Sequence, residues 1–187
     1  MVVTAAYRRE MDCRPALDVG AGEGADAIWL AERGWQVTAS DISANALARV
    51  SAEADRRRLV IDTLCGDTND VDVFPSESFD LVSLQYSSFL RTPDQRGLRN
   101  LLSAVAPGGT LLVVGHDLTP FLGPFDVSTQ TRMFDPGAYV GVEEIAAALQ
   151  EADDWTIEVQ EIRNRPSGAA STHHVSDVVL RAKKRAR

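Results

Sequence analysis

The chain has 187 residues, 44% of them hydrophobic and 25% charged, the balance of a single globular domain over 1–187 rather than a disordered tail, a fibre or a disulfide scaffold. Its net charge is −8, and five basic residues crowd into 181–187; residues 1–180 hold 14 basic against 27 acidic side chains, a body that repels phosphate backbones and makes nucleic acid a poor partner. The longest run without Asp, Glu, Lys or Arg, Asn100 to His116, is broken by Pro107-Gly108-Gly109 and excludes a membrane-spanning helix, while a start without an apolar stretch and only two cysteines, Cys13 and Cys65, point to the cytoplasm.

Strand and helix patterns alternate from Pro15 to Ala182. Ala16 to Val19 reads as a buried strand that enters the turn Gly20-Ala21-Gly22-Glu23-Gly24. Ala25 to Arg33 carries Ala27, Ile28, Leu30 and Ala31 at helical spacing, and Gly34 stops it. Trp35 to Ala39 is β-rich and ends at Asp41. Ser43 is suited to cap a helix over Ala44 to Arg58, with Leu47 and Val50 on one face. Val60 to Leu64 and Phe79 to Leu84 are two further strands. Thr92 as N-cap and Pro93 at the first position predict a helix with Leu98, Leu101, Leu102 and Val105 as its stripe. Pro107-Gly108-Gly109 turns the chain into a strand over Thr110 to Gly115. Val142 to Gln150 reads as an amphipathic helix, and Trp155 to Ile162 and Val175 to Ala182 as adjacent strands.

This order predicts an α/β fold: a doubly wound, mostly parallel seven-stranded sheet with helices on both faces and the last strand antiparallel. Residues 116–141, rich in Gly, Pro and Phe without a clear period, are expected to form a functional cover at the C-terminal edge of the strands. The basic tail, 183–187, is expected to be solvated, and 1–14 forms a short N-terminal segment.

The glycine turn carries the most chemical information. Between a buried strand and a helix it lets a ligand approach the backbone closely. Gly20-x-Gly22-x-x-Ala25 also satisfies the dinucleotide fingerprint, so the turn alone leaves nicotinamide and other nucleoside ligands open. Its surroundings favour a cationic, phosphate-free ligand. Asp18 precedes the turn and Glu23 lies within it, where a pyrophosphate would meet like charge costing about 4 kcal/mol at 4 Å in an effective dielectric of about 20. Asp41, at the end of the second strand, is placed to accept from ribose hydroxyls. Asp67, after the third, is placed to accept from an adenine amino group.

The segments Ala16-Leu-Asp-Val-Gly-Ala-Gly-Glu-Gly-Ala-Asp-Ala-Ile-Trp-Leu-Ala31, Val37-Thr-Ala-Ser-Asp-Ile-Ser43, Phe79-Asp-Leu-Val-Ser83 and Val105-Ala-Pro-Gly-Gly-Thr-Leu-Leu-Val-Val114 resemble the ordered motifs of the class I S-adenosylmethionine-dependent methyltransferases. The chain looks most like the small bacterial tellurite-resistance and thiopurine types, closely over 15–116 and loosely over the last strand pair. The resemblance implies S-adenosyl-L-methionine as cofactor and a small-molecule acceptor, handled by a monomer or homodimer. It implies that Asp18, Gly20, Ala21 and Gly22 hold the methionine part, Asp41 with Ile42 the ribose side, and Gly66, Asp67 and Thr68 the adenine. Gln85 and Tyr86 would line the methyl-donor side. One departure is that only 14 residues precede Pro15, where many members have one or two helices; the implication is one short helix over Val3 to Met11 or a clipped start.

Two residues are candidates for catalysis. His116, after the fifth strand, is placed to act as a general base, worth about 10²–10⁴-fold in rate; the alternative is a histidine that caps the strand. Tyr86 is placed to orient substrate, or is ordinary packing. His173-His174 resemble a metal pair, but adjacent residues on a strand point to opposite faces and no Cys or carboxylate cluster accompanies them, so no metal site is expected. Trp29 and Trp155 are expected in the core, Trp35 at the lower sheet edge, and Cys65 as a small buried residue. The expected function is in-line methyl transfer. The alternatives are an NAD(P)-dependent reductase, disfavoured because lysine occurs only at 183 and 184, and a non-catalytic S-adenosylmethionine-binding module.

Overall fold

The computed structural model describes residues 14–117, 136–164 and 176–186. Its elements in chain order are β1 (Pro15–Val19), α1 (Ala25–Ala31), β2 (Gln36–Asp41), α2 (Ala44–Arg57), β3 (Ile61–Cys65), β4 (Phe79–Gln85), α3 (Arg96–Ala104), β5 (Val105–His116), a 3₁₀ turn (Pro136–Ala138), α4 (Val142–Glu151), β6 (Trp155–Asn164) and β7 (Ser176–Lys184). The described strands form one seven-stranded sheet in the order β3-β2-β1-β4-β5-β7-β6. β3, β2, β1, β4 and β5 run parallel, and β7 is antiparallel to both β5 and β6, as expected.

Alternation along the strands divides the core between the two sheet faces. Ala16, Val37 and Ala39 pack with Ala27 and Leu30 of α1 and Leu47 and Val50 of α2. Leu17, Val19, Val82, Leu84, Leu111 and Val113 face the other way, onto Leu98 and Leu101 of α3 and Ile145 and Leu149 of α4. Chain order reverses between β1 and β4, because the chain crosses from the β3 edge back to the centre. The chain leaves these two strands towards helices on opposite faces of the sheet, which leaves a crevice at the C-terminal edge.

Several local expectations are corrected. The helix assigned to Thr92–Pro93 begins three residues later: Thr92 Oγ1 accepts from the Arg96 amide at 3.0 Å, and Gln95 at φ 51° is the residue that enters α3. Val105 opens β5 instead of closing that helix. Pro107-Gly108-Gly109 lies inside β5, as an irregularity opposite Phe79 and Leu81; Gly108 has φ +77° there, and a Cβ on Gly109 would sit 2.9 Å from the Phe79 carbonyl oxygen. Trp29 is 52% exposed, with the Arg33 guanidinium stacked 3.7 Å from its ring centroid, because it faces outward between the buried Ile28 and Leu30. Cys65 is exposed at the end of β3. Lys184, expected in a solvated tail, is buried. Its ammonium donates to the Val105 carbonyl at 3.0 Å, lies 3.5 Å from Glu77 and sits over the Trp155 ring. His173, His174, the segment over 3–11 and most of the expected cover, 118–135, lie outside the described residues. No described helix is long and apolar enough to cross a membrane.

Candidate active site

The turn after β1 is built around backbone conformations that favour glycine. Gly20, Gly22 and Gly24 have φ of +70°, +55° and +84°. The amides of Gly20 and Ala21 both donate to the Ser40 carbonyl, at 2.7 and 2.9 Å, tying the turn to the end of β2. A Cβ on Gly24 would lie 2.8 Å from Val50 Cγ2, so this glycine allows α1 to approach α2. A Cβ on Gly22 would meet nothing within 4 Å; its outer side is open for a ligand.

Asp41 organises this edge. Its two carboxylate oxygens accept from the Gly22 amide at 2.9 Å and the Ser43 amide at 2.8 Å. Each oxygen keeps a second lone pair for a ligand hydroxyl. Beyond β3, Asp67 Oδ1 accepts from the Asn69 amide at 2.8 Å, and the Asp67 amide donates to Asp70 Oδ2. Gly20, Asp41, Ile42, Gly66, Asp67 and Thr68 together line one wall of a cavity of about 280 Å³. Ser87, Ser88, Phe89, Leu90 and Tyr139 form the opposite wall. Neither lysine nor arginine is among its described lining, while two carboxylates are. Ile42, 71% exposed, places an apolar side chain at the lip.

Neither Asp18 nor Glu23 is among the residues lining this cavity. Glu23 points out of the turn and pairs with Arg49 of α2. Its charge is matched there, so the case against a pyrophosphate rests on Asp41 and Asp67. Asp18 lies beneath the turn, buried, and its Oδ2 has no hydrogen-bond partner. Burial, with help from Asp26 and Asp41, raises its pKa to about 7 against the pull of the Ala27 amide. An orphaned acidic oxygen behind a glycine turn is the feature a cationic ligand would relieve. Gln85 donates to Ser83 Oγ at 3.1 Å and is not among the residues lining this cavity or its neighbour.

The neighbour has a volume of about 460 Å³ and lies between the ends of β4 and β5 and the start of α4. The two cavities share Ser87, Ser88 and Tyr139. Leu84, Val113, Val140, Val142, Ile145 and Val178 form its apolar walls, and Tyr86 and His116 stand at its edge. Tyr86 follows β4 at φ 52°, a conformation that costs a non-glycine residue free energy and gathers at functional sites. Its amide is held by the Val114 carbonyl at 2.8 Å. The Tyr86 and His116 rings lie 4.9 Å apart. Both meet Asp177 of β7, which is 8% exposed: the Tyr86 hydroxyl donates to Oδ2 at 2.8 Å, and His116 Nδ1 lies 3.5 Å from Oδ1.

Asp177, Ser87, Ser88 and Tyr139 were not singled out from the sequence. Ser87 and Ser88 come two and three residues after the end of parallel strand β4, a position that marks ligand contact in open α/β sheets. Asp177 carries a weaker mark, a carboxylate directly before the apolar run Val178-Val179-Leu180. Only its antiparallel register opposite His116 brings it to the site.

Residues 16–109 match the family described as "Methyltransferase domain". Glycine N-methyltransferase of Rattus norvegicus is 37% identical over 123 residues, covering 58% of this chain and 42% of that protein; the chain spans about two fifths of the length of the first curated relatives it matches. Demethylmenaquinone methyltransferase of Renibacterium salmoninarum is 30% identical over 176 residues, 84% of this chain and 72% of that protein. A crystal structure of an S-adenosylmethionine-dependent methyltransferase from Methanosarcina mazei superposes with a TM-score of 0.69 at 18% identity, covering 100% of this chain and 99% of that one. By its matched motifs, its strand order and its glycine turn, the chain belongs to the class I S-adenosylmethionine-dependent methyltransferase family.

Proposed function

We propose that the chain transfers a methyl group from S-adenosylmethionine to a small-molecule acceptor. The observation that carries this reading is the shared wall: a nucleoside-sized cavity lined by the glycine turn and two carboxylates meets an apolar cavity along Ser87, Ser88 and Tyr139. A donor held in the first and an acceptor held in the second are neighbours, and orientation of two reactants supplies about 7–11 kcal/mol towards a displacement.

When bound, the cofactor supplies an electrophilic methyl carbon on a positively charged sulfur. Asp41 accepts from the ribose hydroxyls through the lone pairs that Gly22 and Ser43 leave open. Asp67 accepts from the adenine amino group, and Ile42 covers the base. Ala21 and Gly22 let the methionine part lie against backbone, and the negative field of Asp18 favours its cationic groups. Thr68 and Gly66 bound the adenine end. Tyr86 and His116 border the acceptor, with His116 as the general base for an O–H or N–H group and Tyr86 orienting the substrate beside it.

Calorimetric titration with S-adenosylhomocysteine and with NAD separates donor classes: the first is expected to bind and the second not, and tight NAD binding alone ends the proposal. Incubation with methyl-labelled S-adenosylmethionine and a metabolite extract then distinguishes an enzyme from a binding module. Label is expected in a small-molecule fraction, and transfer to no acceptor overturns the catalytic reading.

A further inference from the structure

We infer that the second cavity takes an uncharged, ring-bearing acceptor with a weakly acidic O–H or N–H, a phenol, enol or ring N–H, and that Asp177 is the residue that positions His116 to receive its proton. This rests on the proposed methyl-transfer reading and adds the substrate class and the positioning residue.

The walls set the class. Leu84, Val113, Val140, Val142, Ile145 and Val178 leave aliphatic surface around about 460 Å³, a space suited to one or two fused rings. A carboxylate or phosphate entering it would need a cation. Arg91 is the only one in the described lining, and it is already engaged. Its guanidinium pairs with Glu144 at 2.7 Å and donates to the carbonyls of Tyr139 and Gly137. Lys183 and Lys184 lie at the far end of β7, since Lys183 pairs with Thr110 while Asp177 pairs with His116. An anionic acceptor would thus be desolvated against aliphatic walls without a counter-ion, and a cationic one would find among the lining carboxylates only Glu144, already paired with Arg91, and Glu143, which is exposed to solvent. A free amino acid, with a carboxylate, fits poorly for this reason.

The edge sets the reacting group. Asp177 lies beside Nδ1 of His116 and accepts the Tyr86 hydroxyl, so residues from β5, β7 and the segment after β4 are held as one unit. A carboxylate at Nδ1 favours the tautomer with its proton on that nitrogen and leaves the basic lone pair on Nε2. In the reaction, the acceptor's O–H or N–H bond breaks and its proton passes to His116 Nε2. The freed electron pair forms the bond to the methyl carbon. The pair of the broken methyl–sulfur bond remains on sulfur, which becomes neutral.

The test uses the full chain loaded with S-adenosylhomocysteine, and in parallel without it, titrated with 2-naphthol, 2-naphthoate and 2-naphthylmethylamine. 2-Naphthol is expected to bind at least about tenfold more tightly than either charged probe. Val178→Trp is expected to remove that binding; Val142→Trp gives a second obstruction, and thermal melting shows whether each variant folds. Nitrogen-15 spectra of the His116 ring, assigned with His116→Gln, are expected to show the proton on Nδ1 in the native chain and a mixed tautomer in Asp177→Asn, with Asp177→Glu restoring the native pattern. Preference for either charged probe, binding of none of the three, naphthol binding that both obstructed but folded variants retain, or an unchanged tautomer in Asp177→Asn overturns the inference. Failure of S-adenosylhomocysteine to bind is a separate result, which overturns the donor reading and with it this one.

Discussion

At Asp18 the fold holds a carboxyl group where its charge is least welcome. The side chain is 2% exposed and one oxygen is unpartnered. In the unfolded chain it ionises near 3.8, and in the fold near 7. Between those values the folded state keeps a proton that the unfolded state has lost. The stability this confers is therefore complete below about pH 4 and is lost as pH rises through 7. Asp18→Asn is expected to be more stable than the native protein at pH 8, by up to about 4 kcal/mol, with the gap closing towards pH 4. Denaturant unfolding at the two pH values checks it; a variant less stable at pH 8 contradicts the orphaned-charge picture. Asp41, in contrast, has both carboxylate oxygens engaged by backbone amides. Asp41→Ala removes two backbone contacts and the proposed ribose acceptor, and is expected to weaken S-adenosylhomocysteine binding by about 1.5–3 kcal/mol in calorimetry. Unchanged affinity would place the ribose elsewhere.

Elements were legible where the information is local. Ser43 caps α2 as its residue type suggests, accepting from the Ala46 amide at 3.3 Å, and the stripe of Leu47 and Val50 is buried. The start of α3 misleads because Thr92 and Pro93 are valid turn residues as well as cap residues. The chain uses them for a turn and enters the helix through Gln95 at φ 51° with no side-chain cap. A non-glycine residue there is strained, so Gln95→Gly is expected to stabilise the protein by about 1 kcal/mol, read as a rise in thermal midpoint. A fall would mean that the Gln95 side chain contributes more than its backbone costs. Gly24 gives the reverse case. A methyl group there meets Val50 at 2.8 Å and sits at φ +84°, so Gly24→Ala is expected to destabilise by about 1–3 kcal/mol by prying α1 from α2.

Across the whole molecule the two halves of the site differ in how far they can be read from sequence. The donor half comes from β1, β2 and β3, and its turn, Asp41 and Asp67 lie in consecutive strand ends within residues 15–68. The acceptor half joins β4, β5 and β7, and its decisive contact spans from His116 to Asp177. Such a pairing depends on sheet register, which no local pattern carries. The same register buries Lys184 at the other end of β7. Its ammonium bridges the Val105 carbonyl and Glu77, so it anchors β7 beside the start of β5 and holds the strand on which Asp177 sits. Lys184→Ala removes a charged hydrogen bond inside the fold and is expected to cost about 2 kcal/mol, a fall of about 4–8 °C in thermal midpoint for a chain of this size. Lys184→Met keeps the packing against Trp155 and is expected to lose less. If β7 is anchored there, the Lys184→Ala chain also exposes the Asp177 and Val178 amides to faster hydrogen exchange than those of β1. Equal protection in the two strands would mean that the Asp177 end of β7 is held by its own contacts alone.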